Sequence, residues 1–253
     1  DGGCRPSPSP GTKTPRRTSH RRRHFRLALA ARRLVATVNA QPHLPDTLVS
    51  RRASSNDQTA VWMKGDTLIL FVRAPRLGTV KRRLAAEIGA MAALRFHRAR
   101  LRHLVRDLGQ DPRWRTEIVA TPDRPRWPWP LAHRPQGAGN LGTRMQRALA
   151  RHRRAILIGS DIPDIRAADI AAAFRALGRA QAVFGPAEDG GYWLVGFGPR
   201  RPPCPFLGVR WSTPHALADT LGNCTGRPTA LLRRLRDVDT AADYHAWQGD
   251  TAC

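Results

Sequence analysis

The chain has 253 residues, enough for one domain of ordinary size plus a tail, and its 41% hydrophobic content suffices for a real core. A formal charge of +24 raises the question of a nucleic-acid partner, but lysine occurs only at Lys13, Lys64 and Lys81, and the arginines are scattered rather than gathered in one stripe; this reads as coding bias and a solvated basic surface, not a nucleic-acid face. No apolar run approaches membrane-spanning length, and Cys4, Cys204, Cys224 and Cys253 include no pair at zinc-knuckle or dithiol spacing, so free thiols and a cytoplasmic location are expected.

Residues 1–64 contain Pro-Ser-Pro-Ser-Pro, Arg21-Arg22-Arg23 and Ser54-Ser55-Asn56-Asp57. Apart from a short helix expected around 24–38, such a segment buries too little apolar surface to offset its ordering entropy. We expect a mostly disordered basic tail over 1–64 and a folded domain over 65–253. The stretch 25–31 is broken by Arg26 and followed by Arg32 and Arg33, which argues against a signal peptide.

At Asp66 the pattern changes. Residues 67–72 form a continuous apolar run of strand length, the mark of a parallel strand covered on both faces. A loop with Pro75 and Gly78 precedes a helical stretch over 81–108; 116–120 reads as a strand, 141–153 as a helix, 155–158 as a strand, 167–177 as a helix and 182–185 as a strand. Strands alternating with helices predict a mostly parallel α/β sheet with ligands beyond the carboxyl ends of the strands.

Four motifs fall at such ends. Pro75 to Leu84, directly after the first strand, is a glycine-containing turn feeding a helix start, with Lys81 and Arg83 as a point charge and a bidentate fork suited to phosphate. Gly159-Ser160-Asp161-Ile162-Pro163 puts a carboxylate where a hard cation can be held between protein and substrate phosphates, or where Asp161 merely caps a turn. Gly185-Pro186-Ala187-Glu188-Asp189-Gly190-Gly191-Tyr192-Trp193 is either a hairpin turn or a close approach to a ligand between acidic groups and an aromatic platform. In Asp237-Val238-Asp239-Thr240, Asp239 reads as a simple N-cap of the last helix or as a metal ligand that also caps it.

Together with Gln136-Gly137-Ala138-Gly139-Asn140-Leu141-Gly142-Thr143-Arg144-Met145 and Trp211-Ser212-Thr213, these motifs, in this order, resemble the radical-SAM/selenodomain-associated transferases, a GT-A-like family also described as arsenosugar-biosynthesis-type glycosyltransferases. The resemblance covers 68–244. It implies a nucleotide-diphosphosugar-transferase fold, with Arg73, Gly78, Lys81, Arg83, Gln136, Gly139 and Arg144 on the nucleotide side. It also implies Mg2+ or Mn2+ at Asp161 and Asp239, Glu188 and Asp189 as catalytic carboxylates beside Asp161, and Gly190, Gly191, Tyr192, Trp211 and Ser212 at the substrate. Three positions depart from the family pattern: Leu77 replaces a proline, Arg82 a threonine and Asn140 an aspartate.

The function so implied is metal-dependent transfer of a sugar from a nucleotide-activated donor to a small acceptor. A nucleotidylyltransferase acting on a nucleoside triphosphate is the alternative, and a degraded nucleotide-binding module a third. Neutralising Asp161 is expected to relieve repulsion with Asp239 or Glu188, leaving stability unchanged or slightly raised.

Overall fold

A strand that is apolar at every position has two faces to bury, and the sheet covers both. In the computed structural model, which describes residues 65–122 and 129–251, β1 (Asp66–Arg73) sends Leu68, Leu70 and Val72 into one core layer and Ile69 into the other. β4 (Arg154–Ile158) repeats the division, with Ile156 and Ile158 on the first side and Ala155 and Leu157 on the second. The two-residue period of a strand dictates this alternation. The first layer is closed by α2 (Ala90–Asp107) and α4 (Ala167–Ala176) through Leu101, Leu104, Ile170 and Phe174; the second by α3 (Leu141–Ala150) through Met145, Ala148 and Leu149. Each such fully buried Leu, Ile or Phe side chain contributes about 1.5–3 kcal/mol.

The sheet has seven strands in the order β3-β2-β1-β4-β6-β5-β7, where β2 is Arg115–Thr121, β3 Ala132–Pro135, β5 Ala182–Pro186, β6 Tyr192–Phe197 and β7 Thr229–Leu231. β6 is antiparallel to both β4 and β5, while the other pairings are parallel. The architecture is therefore the mostly parallel, helix-flanked GT-A-like α/β fold that the motifs imply. Because β1 pairs with β4, the loops leaving their carboxyl ends lie side by side. Because β6 runs the opposite way, its first residues meet the same rim, with Leu194 opposite Ile158.

The helix expected over 81–108 is two helices. Gly89, at φ 87° and ψ 148°, closes α1 (Arg82–Ile88) and opens α2, a conformation that L residues with a Cβ rarely adopt. The break lets Leu84 of α1 and Phe96 of α2 pack on Val238, where Tyr244 and Trp247 of α6 (Ala241–Thr251) complete a third cluster. Helix α3 ends at Ala150, three residues before its expected end. β3, β7 and α5 (Ala216–Gly222) are additional elements. Cys224 is a free buried thiol. No helix among the described residues is long and apolar enough to cross a membrane. The tail expected over 1–64, with its helix at 24–38, lies outside the described residues.

Candidate functional site

Two adjoining cavities open at the rim where β1 and β4 end. One, of about 570 Å³, is lined by Arg73, Lys81, Arg82, Arg83 and His97; the other, of about 330 Å³, by Asp189, Asp237, Tyr192, Trp193 and Trp211. They share Asp161, Ser212 and Asp239. A basic chamber thus meets an acidic, aromatic one across a pair of aspartates.

Lys81 stands at the boundary. Its side chain is 4% exposed, and its ammonium donates to Oδ1 of Asp161 at 2.7 Å, to Oδ1 of Asp239 at 2.9 Å and to the Val238 carbonyl at 2.7 Å. Burial works to lower its pKa, but the two carboxylates outweigh it and hold the ammonium above the ordinary lysine range. The peptide N–H of Val238 in turn donates to the Asp161 carbonyl at 3.1 Å, so the two carboxylate-bearing loops are joined through backbone as well as through lysine. Lys81 (φ 48°) and Ser212 (φ 59°) are the non-glycine residues with positive φ among those described, and both line the basic cavity. Such conformations persist where surrounding contacts enforce them, and they concentrate at functional sites.

Local sequence explains how the acidic side is assembled. Val238 is buried under α1 and α2, so the strand-like alternation of Asp237-Val238-Asp239 leaves both carboxylates on the cavity side. Backbone bonds Leu235 N to Pro186 O and Glu188 N to Leu235 O, each 3.1 Å, lay this segment along the turn between β5 and β6 and bring Asp237 beside Asp189. Burial, then the charges of Asp189 and Asp239, hold the Asp237 carboxyl above the usual range. The turn is a true hairpin connection, as one reading of its Gly-Gly pair has it, and it also lines the cavity through Asp189 and Gly191. A Cβ on Gly190 (φ 84°) would lie 2.3 Å from the Pro214 carbonyl oxygen, so only glycine lets the turn approach the loop before α5.

The expected residues divide clearly. Arg73, Lys81 and Arg83 meet at the basic cavity, Gly191, Tyr192, Trp211 and Asp189 at the acidic one, and Asp161, Asp239 and Ser212 at both. Gly78 lies in the exposed loop and lines neither cavity. Gln136 is 3% exposed and acts as a bracket: its amide donates to the carbonyls of Val72 and Val119, and Arg144 donates to its Oε1 at 2.8 Å. Gly139 packs against Thr143. Gln136 and Arg144 therefore tie β1, β2 and α3 together, and with Gly139 they line neither cavity, whereas Leu141 and Met145 of the same motif line the acidic one. Asn140 accepts from Thr143 N at 2.9 Å as the N-cap of α3, a task that needs no charge. Glu188 lines neither cavity and pairs with Arg236 at 3.4 Å. Asp239 is not the cap of the last helix: Asp243 accepts from Thr240 N at 2.9 Å while the Thr240 hydroxyl accepts from Asp243 N at 3.2 Å, a capping box that leaves the Asp239 carboxylate to Lys81.

Two ionisable cavity residues, Asp237 and His97, escape the sequence reading. Asp237 was legible in principle from its spacing of two from Asp239. His97 was not: it is a buried mid-helix histidine whose Nε2 donates to the Arg73 carbonyl at 3.0 Å, while Nδ1 has no partner among the described residues. Burial lowers its pKa, so the ring that positions Arg73 is neutral.

Comparison with known proteins agrees with the fold. A family model described as "Uncharacterized protein conserved in bacteria (DUF2064)" matches residues 103–213. A crystal structure described as a "putative nucleotide-diphospho-sugar transferase from Desulfovibrio desulfuricans G20" is 27% identical, with a TM-score of 0.69 over 73% of this chain and 87% of that one. A CMP:2-keto-3-deoxy-manno-octonic acid synthetase complexed with CTP is 11% identical with a TM-score of 0.49, covering 74% of this chain and 98% of that one. The 2-C-methyl-D-erythritol 4-phosphate cytidylyltransferase of Thermus thermophilus is 13% identical with a TM-score of 0.42, covering 76% and 100%. No curated protein matches the sequence. The fold assignment rests on the first of these structures.

Proposed function

We propose that this chain is a nucleotide-dependent transferase, specifically a glycosyltransferase of the radical-SAM-associated type that its motifs resemble. The observation that carries the reading is the meeting of a basic and an acidic cavity across Asp161 and Asp239 at the carboxyl ends of β1 and β4. The 27% identical structure, whose description names a nucleotide-diphospho-sugar transferase, supports the same reading.

In this reading the diphosphate of the donor lies against Arg73, Arg82 and Arg83, whose guanidinium groups bind phosphate oxygens and stabilise the charge that develops as the sugar leaves. Arg82, where the family carries a small hydroxyl, adds a third cation to this wall. The acceptor lies in the acidic cavity against Tyr192 and Trp211. Asp189 removes its proton: one carboxylate oxygen is fixed by Gly191 N at 2.8 Å, leaving the other for the acceptor hydroxyl. Glu188, paired with Arg236, is the weaker candidate for that role.

Asp161 and Asp239 fit a divalent ion of the kind shared with substrate phosphates. Their oxygens are hard donors already gathered around one cation, and their side chains are 57% and 42% exposed, open to a metal–phosphate complex. Among the described residues no set of three or more acidic, histidine or cysteine side chains forms a metal cage, so in this reading substrate oxygens and water complete the shell of a Mg2+ or Mn2+ ion. Such an ion supplies counter-charge to the diphosphate.

The test is a thermal-unfolding panel of nucleoside di- and triphosphates with and without Mg2+, followed by product analysis with the nucleotide that binds. Release of a nucleoside diphosphate from a nucleotide sugar is expected. Release of pyrophosphate would instead assign nucleotidylyl transfer, and no stabilisation by any nucleotide would overturn both.

A further inference from the structure

The three N–H bonds of the Lys81 ammonium have three acceptors, Asp161, Asp239 and the Val238 carbonyl, at 2.7–2.9 Å. Held this way, Lys81 has no N–H left for a phosphate, although it lines the basic cavity. Its ammonium also fills the position between two carboxylates where a hard cation would sit. Phosphate binding by Lys81 and its present pairing are therefore exclusive. Breaking the pairing without a substitute cation would leave two neighbouring carboxylates with no counter-charge. Arg82 and Arg83 differ, since they are exposed and form no ion pair among the described residues, so they bind an anion without first being released.

We propose that Lys81 is a resident place-holder for the divalent cation. The metal displaces the ammonium from the Asp161–Asp239 pair, and the displaced ammonium turns into the basic cavity to take the substrate phosphate. The step is an exchange of ions with no covalent change. It rests on the reading of the basic cavity as the phosphate site, and it makes metal and phosphate bind cooperatively through one side chain in addition to any direct contact between them.

Lys81 is the only lysine among the described residues, so amine acylation followed by peptide mass spectrometry reports on it individually. In the full-length chain, buried and paired, it should react slowly with N-hydroxysuccinimidyl acetate. Mg2+ or Mn2+ alone should speed its acylation about tenfold, the effect of exposing a minor state. Lys13 and Lys64, as internal references, should be unchanged, and a nucleoside diphosphate added with the metal should restore protection. In Asp161→Asn the metal effect should disappear.

An unchanged Lys81 rate with metal, or equal acceleration of all three lysines, overturns the proposal. Calorimetric nucleotide titration in the same buffer keeps the two readings apart. Metal-dependent nucleotide binding with an unresponsive Lys81 sinks the place-holder alone. A responsive Lys81 without nucleotide binding leaves the exchange standing and sinks the nucleotide assignment.

Discussion

Asp161→Asn gives the most informative single perturbation, because the sequence and the structure expect different signs. From sequence, two carboxylates close together should repel, so neutralising one should leave stability unchanged or raise it. In the structure Lys81 stands between them, 2.7 Å from Asp161 and 2.9 Å from Asp239, so the mutation removes an attraction. Two unit charges 2.7 Å apart attract by about 1.5 kcal/mol in a water-like dielectric and several times more inside a protein. Asp161 is 57% exposed, so the water-like end applies, and solvent screening brings the net loss to about 1 kcal/mol. Lys81 keeps Asp239 and the Val238 carbonyl, so nothing is orphaned. For a domain of this size that loss lowers the unfolding midpoint by about 2–4 °C. The second effect is larger. A ligand at 100 times its dissociation constant stabilises the native state by about 2.7 kcal/mol, and the metal-dependent part of this increment should vanish in the variant. Differential scanning calorimetry of wild type and Asp161→Asn, with and without Mg2+ and the binding nucleotide, measures both. A variant as stable as wild type without ligand would refute the ion-pair account; one that keeps the full metal-dependent increment would remove Asp161 from the metal site.

Arg83→Ala should weaken nucleoside diphosphate binding by about 1–3 kcal/mol, as expected for a charge-assisted hydrogen bond, while Glu188→Gln should leave it unchanged; titration calorimetry compares the two. Gly190→Ala should destabilise by about 1–3 kcal/mol and impair acceptor use more than nucleotide binding, because its methyl would drive the β5–β6 turn off Pro214; unfolding midpoints and acceptor KM test this. At Glu117, 6% exposed on β2, burial works to raise the pKa, but His152 at 2.8 Å and Arg134 at 3.2 Å outweigh it and hold the carboxyl below its ordinary 4.5. A depressed folded pKa means that the stabilisation is present above pH 4.5 and lost as pH falls through the folded value. Glu117→Gln should therefore unfold more easily than wild type at neutral pH, by about 1–3 kcal/mol, and the gap should close below pH 4.5 in denaturant titrations.

What sequence could carry depended on whether a residue's partner was nearby in the chain. The runs behind β1 and β4 announced central strands because every position is apolar, and only a strand covered twice needs that. β3 reads Ala-His-Arg-Pro and is exposed throughout, so nothing in its composition distinguishes an edge strand from a loop. Gly89 sits among alanines that would continue a helix, and only its conformation shows the break. At the site, Lys81, Asp161 and Asp239 were each identifiable, but their mutual contact joins positions more than seventy residues apart and had no local trace. Gln136 and Arg144 belong to a motif that the resemblance puts on the nucleotide side, and Arg144 donates to Gln136 across one loop, a pairing that the motif alone does not show.

The reversal of β6 has a consequence for how such a protein changes over generations. The basic chamber is built from the end of β1, the loop after it, the start of α1 and His97 of α2, whereas the aromatic wall of the acidic chamber comes from the start of β6 and the loop before α5, with three shared residues between them. Mutations at Tyr192, Trp193, Trp211 or Thr213 reshape one chamber without touching a side chain unique to the other. Under the proposed assignment of the basic chamber to the donor and the acidic one to the acceptor, a lineage with this layout can drift to a new acceptor while its hold on the donor stays intact. A laboratory graft of those two segments from a relative should move acceptor preference as a unit.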